Sequence, residues 1–158
     1  MHTNFDVANG GMNDILANLL ELKDIHMTED EVSSKTLIRI GNIEPMMLDD
    51  FSKYVSNKLD EPNVRYVGKS DKVIKTIGVV GGSGASEMYR AMFNKCDCLV
   101  TGEVHHHQAL DAIEYGFSLI EVSHSVERHF ANKVKEELSL MFPNVLFEVS
   151  KNNINPYK

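Results

Sequence analysis

Val73-Ile74-Lys75-Thr76-Ile77-Gly78-Val79-Val80 runs directly into Gly81-Gly82-Ser83-Gly84 and then into Ala85-Ser86-Glu87-Met88-Tyr89-Arg90-Ala91-Met92-Phe93-Asn94-Lys95. The first eight residues are rich in β-branched side chains, which suit a pleated strand. Small residues then punctuate the chain, and residues 85–95 read as a helix with Met88, Met92 and Phe93 turned inward. Strand, glycine turn and helix together make one α/β unit, and the pattern repeats downstream. Residues 98–100 read as a strand, 105–115 as a helix closed by Gly116, 117–122 as a strand, and 126–141 as a helix stopped before Pro143. Residues 145–149 read as a last strand and 151–158 as a frayed polar tail.

Upstream, residues 2–6 read as a loop that passes Gly10-Gly11 into a helix carrying Ile15, Leu16, Leu19 and Leu20. Residues 24–34, rich in acids, Ser and Thr, read as a surface linker with a lobe boundary nearby, before a strand at 36–40. Pro45 is placed to open an amphipathic helix over 45–59, with Leu48, Phe51, Val55 and Leu59 on one face. Residues 64–67 form a further strand, close in sequence to 73–80. The expected fold class is therefore α/β, a mixed sheet flanked by helices, in one domain or two small lobes.

Composition narrows the function classes. The chain has 158 residues, 42% of them hydrophobic and 25% charged, an ordinary globular mixture. A formal net charge of -7 opposes a phosphate backbone, so nucleic acid is not expected as a partner. The apolar runs fall short of the roughly 20 residues that span a bilayer, so no membrane partner is expected, and with no signal peptide the expected location is cytoplasmic. Cys96 and Cys98 read as buried, reduced thiols sharing one face of a strand.

In α/β sheets ligands bind beyond the carboxyl ends of the strands. Three such ends carry polar residues: Gly81 to Ser86, Thr101-Gly102-Glu103 with His105-His106-His107, and Ser123-His124-Ser125-Val126-Glu127-Arg128-His129. Backbone N–H groups of Gly82, Ser83 and Gly84 suit an anion, and equally suit a tight turn that lets a helix pack closely. The three consecutive histidines fan around a helix start, so one or two at most serve a single site, and His107 is the candidate to face the rim. His124 and Glu127, three apart on an opening helical turn, place imidazole and carboxylate on one side, as ligands to a divalent cation or as an exposed pair.

His2-Thr3-Asn4-Phe5-Asp6 resembles the His-Thr-Asn-x-Asp segment of the NIF-three-like family, whose members also carry the name GTP cyclohydrolase type 2 homologue. Gly81-Gly82-Ser83-Gly84 resembles the family's glycine block. Thr101-Gly102-Glu103, with His107-Gln108-Ala109-Leu110-Asp111-Ala112, resembles a third block, and His124 with Glu127 falls where a metal-binding His and Glu are expected. The resemblance implies two α/β lobes around a dinuclear metal centre, usually in a homohexamer. It implies metal ligands at Asp6, His124 and Glu127, Glu127 able to bridge two ions, with His107 and Glu103 positioning substrate or water.

Two departures accompany the match. The family's His-His pair upstream of the His-Thr-Asn block has no counterpart here, so residues 1–30 read as a remnant of the first metal-binding lobe and 36–158 as the second α/β lobe. The family commonly spaces its last His and Glu by four, where this chain has three, followed by Arg128 and His129. The resemblance implies a divalent cofactor (zinc, iron, manganese or nickel) and hydrolysis of a small nucleotide-like substrate. The alternatives are a non-catalytic metal-binding or interaction module, and a truncated family member without activity.

Overall fold

A computed structural model describes residues 3–28 and 37–152. Residues 29–36 of the expected linker and strand, and 153–158 of the expected tail, lie outside the described residues. Six helices are described: α1 Thr3–Val7, α2 Met12–Leu19, α3 Leu48–Leu59, α4 Met88–Phe93, α5 His106–Glu114 and α6 Phe130–Met141. The strands are β1 Lys23–Met27, β2 Arg39–Met47, β3 Arg65–Val67, β4 Val73–Val80, β5 Cys98–Thr101 and β6 Ser118–Glu121. They form one mixed sheet in the order β1-β2-β4-β5-β6-β3. β4, β5 and β6 run parallel, and the remaining pairings are antiparallel. The sheet is mixed as expected, though not because β3 and β4 pair: β3 lies on β6 at the far edge.

Both faces of the sheet are covered, and period-two alternation sorts side chains between them. Val79, Cys98, Val100 and Ile120 pack with α2 and α3, while Val80, Leu99 and Leu119 pack with α4 and α5. Leu48, Phe51, Val55 and Leu59 are all wholly buried, so the stripe read over 45–59 is the buried face of α3. Fully burying one such side chain contributes about 1.5–3 kcal/mol.

Several local expectations are corrected. Residues 3–7 form α1 rather than a loop. Residues 23–27 form an edge strand rather than linker; its exposed polar side chains, which help keep an edge from pairing with another chain, hid it from a hydrophobicity reading. Pro45 sits inside β2 at an irregularity of the β2–β4 ladder, where a missing N–H is tolerated, and α3 opens at Leu48. Phe93 is 87% exposed because α4 ends there, while Met88 is buried.

Cys96 and Cys98 are free and buried, but on opposite faces: Cys96 precedes the strand, after Lys95 at φ 60°. Burial pushes the Cys96 thiol up to about 12 and raises Cys98 as well, so both stay protonated at neutral pH. Residues 145–149 are not a strand; they pair with neither edge of the sheet, and Leu146 is 84% exposed. No helix among the described residues is long and apolar enough to cross a membrane.

Candidate metal centre

Because β4, β5 and β6 are parallel, Val80, Thr101 and Glu121 end on the same edge of the sheet. The first loop there is tied down from both sides. Gly81 N–H donates to Asn13 Oδ1 at 2.7 Å, and wholly buried Asn13 passes its own amide hydrogen to Leu37 O at 2.8 Å. The Gly82 carbonyl accepts from Gly102 N–H at 2.9 Å and from the Thr101 hydroxyl at 3.1 Å. A Cβ on Gly102 would stand 2.8 Å from that carbonyl, so the two loops touch only because this position is glycine. Gly84 N–H donates to Thr101 Oγ1 at 3.0 Å, so of the three residues read as an anion cradle, Gly84 has its N–H turned into the protein.

The third loop is a 3-10 turn over His124–His129, where the sequence pattern suggests the opening of an α-helix. A 3-10 helix has three residues per turn, so side chains three apart eclipse. Three rows result. Val126 is wholly buried in the core, and His129 Nε2 lies 2.9 Å from Leu59 O. The Ser125 hydroxyl donates to Glu61, and Arg128 donates to Ser125 O at 3.1 Å, Leu59 O at 3.0 Å and Asp60 O. His124 and Glu127 form the third row, over Gly82. A Cβ built on Gly82 would lie 3.2 Å from Glu127 Oε1 and 3.6 Å from His124 Nε2, so both donors converge on one point above that glycine. The His-to-Glu spacing of three is the spacing this turn requires.

α1 supplies the opposite wall. Phe5 meets Phe130 edge-on, with centroids 6.3 Å apart, and Arg39 reaches under the helix to donate to Val7 O at 3.1 Å and Ala8 O at 3.2 Å while pairing with Asp14. The half-open cavity between the two walls is about 530 Å³. Asp6, His124, Glu127, Gly82, Ser83 and Gly84 all line it, beside an apolar wall that includes Phe5, Met12 and Leu37. Among the described residues its lining contains two carboxylates and no Lys or Arg, a balance that favours a cation over an anion. Glu103 stands just outside, its Oε2 3.9 Å from His124 Nδ1. His107 is exposed and stacked on His105 at 5.7 Å, and it does not line the cavity.

Imidazole and carboxylate donors suit a borderline divalent ion. They fit in kind and fall short in number: among the described residues, no three His, Cys, Asp or Glu side chains are grouped so that they could hold an ion together. Asn13, Arg39, Glu61 and Arg128, which shape the cavity, were not singled out from sequence. Asn13, Arg39 and Glu61 are buried polar groups and Arg128 is partly buried, which no pattern along the chain displays.

The family described as Duf34/NIF3 (NGG1p interacting factor 3) matches residues 1–156. The chain belongs to this family. A relative from Lactococcus lactis, called GTP cyclohydrolase 1 type 2 homolog, is 30% identical over 159 residues, covering 99% of this chain and 61% of its own length. A Staphylococcus aureus protein of the same name is 38% identical over 117 residues, covering 72% of this chain and 32% of that one. The crystal structure of a hypothetical protein from Staphylococcus aureus superposes with a TM-score of 0.92 at 30% identity, covering 100% of this chain and 67% of that chain. This chain thus spans between about a third and two thirds of the length of these relatives.

Proposed function

We propose that the cavity is a divalent-metal site to which this chain contributes His124 and Glu127, with Asp6 on the facing wall, and that it serves hydrolysis of a small nucleotide-like substrate. The observation that carries the reading is the convergence of His124 Nε2 and Glu127 Oε1 above Gly82. An ion held there would supply Lewis acidity. The chain's own residues do the rest: the 3-10 turn orients two donors, Gly82 leaves the space they need, and the wall of Phe5, Met12 and Leu37 excludes water from one side. The Gly82 and Ser83 backbone offers N–H donors to an anionic substrate. The name GTP cyclohydrolase 1 type 2 homolog, carried by the relatives, motivates GTP as the first nucleotide to try. A homohexamer is part of the same proposal.

One observation favours a second reading. The described donors that converge are two, fewer than the three protein ligands usual at a catalytic zinc, which suits a metal-binding or interaction module without turnover. Elemental analysis of untagged protein for zinc, iron, manganese and nickel, in wild type, His124→Ala and Asp6→Ala, separates these. Metal in the wild type that both variants lose, with GTP turnover abolished by a chelator, supports the hydrolase. Metal without turnover on GTP, other nucleotides and phosphoesters supports the module, and equal metal in all three proteins removes both residues from the site.

A further inference from the structure

Glu61 lies just beyond α3, and only 1% of it is exposed. A carboxylate so placed is costly unless hydrogen-bonded and paired. Its Oε1 accepts from the nearby Asn63 N–H at 3.2 Å, while Oε2 accepts from the Ser125 hydroxyl and lies 3.8 Å from Arg128 Nη1. One oxygen thus secures Glu61 in its own loop and the other reaches into the turn that bears His124 and Glu127. Ser125 and Arg128 are the second row of that turn, one residue after each candidate ligand. Ser123, which enters the turn at φ 69°, accepts from Ser125 N–H at 3.2 Å, so the same serine closes the turn's strained start.

We propose that Glu61, acting through Ser125 and Arg128, is a positioning residue that holds residues 124–129 in 3-10 form and thereby sets His124 Nε2 and Glu127 Oε1 on one ion. An α-helical turn advances 3.6 residues, so relaxation toward α geometry would leave the pair on one side of the turn but offset it by about 60° from the eclipsed 3-10 alignment. The buried carboxylate holds the tighter form. This inference rests on the metal reading above for the ion, and on the turn's own hydrogen bonds for the mechanics.

The experiment titrates zinc into the chelator-stripped full chain, as wild type, Glu61→Ala, Glu61→Gln and Ser125→Ala, and follows hydrogen–deuterium exchange of residues 123–129 in the metal-free proteins. Glu61→Ala and Ser125→Ala are expected to weaken zinc binding about 10- to 100-fold, the usual effect of removing a partner that orients a ligand. Exchange in the turn should accelerate in both, and Glu61→Gln, which can still accept from Ser125, should recover most of the affinity. A merely structural role would shift the thermal midpoint without that recovery. Wild-type zinc binding matched by both Glu61→Ala and Ser125→Ala overturns the positioning role and leaves the metal reading standing. No zinc uptake by the wild type overturns the metal reading, and turn exchange unchanged in Glu61→Ala then overturns the positioning role as well.

Discussion

The two walls of the cavity are built differently. On the sheet side, residues 124–129 are fastened through Val126 in the core and through Ser125, Arg128 and His129 to the end of α3, while Gly82 is tied to Thr101 and Gly102. On the other side, α1 has five residues, none of them buried, and its attachments include Phe5 against the core and edge-on to Phe130, and Arg39 on its last carbonyl. The donors of the first wall converge above one glycine. Asp6, on the second, lines the cavity without completing a three-donor group among the described residues. The precision of a ligand follows the fastening of its backbone, and hydrogen bonds remote from the cavity supply that fastening.

The contrast can be broken at several points. Arg39 is 1% exposed and Asp14 is its partner, so Arg39→Met removes the donor of several part-buried acceptors and should cost about 1–3 kcal/mol in urea unfolding. A loss below about 1 kcal/mol would show that α1 is held by something other than this guanidinium. Gly82→Ala meets φ 61° and a carboxylate 3.2 Å away, so it should cost about 1–2 kcal/mol and weaken metal binding as Glu127 is pushed aside. Undiminished metal affinity there would remove the convergence point. Phe5→Leu, which loses the edge contact to Phe130, should cost about 0.5–1.5 kcal/mol and speed proteolysis near α1; proteolysis at the wild-type rate would argue against that contact as a tether. The smallest effect is expected of His124→Ala, whose side chain is 53% exposed: metal-free stability should stay within about 0.5 kcal/mol, and a larger drop would mark His124 as structural.

Much of this arrangement was legible in the sequence because it follows periodicity. The stripe of Leu48, Phe51, Val55 and Leu59 has one solution, a helix face on a sheet, and β-branched runs followed by glycine and a helix place three loops on one edge. What escaped was decided across the chain rather than along it. Lys23–Met27 pairs because β2 offers an edge, not because its own side chains are apolar. Residues 124–129 take 3-10 form although a pair three apart also falls on one side of an α-helix, and the deciding partner, Glu61, lies 64 residues from Ser125. Asp6, His124 and Glu127, which the motifs point to, line one cavity. Glu103 stands beside it, and His107 is stacked on His105 instead.

The most direct test of the central claim is a histidine-ring proton–nitrogen spectrum of the chelator-stripped protein recorded across a zinc titration. His124 Nε2 is expected to shift and to saturate at about one equivalent, with His105, His106 and His107 unchanged over the same range. A response confined to His105, His106 and His107, with His124 silent, would contradict it and move the ion from the cavity to the exposed start of α5.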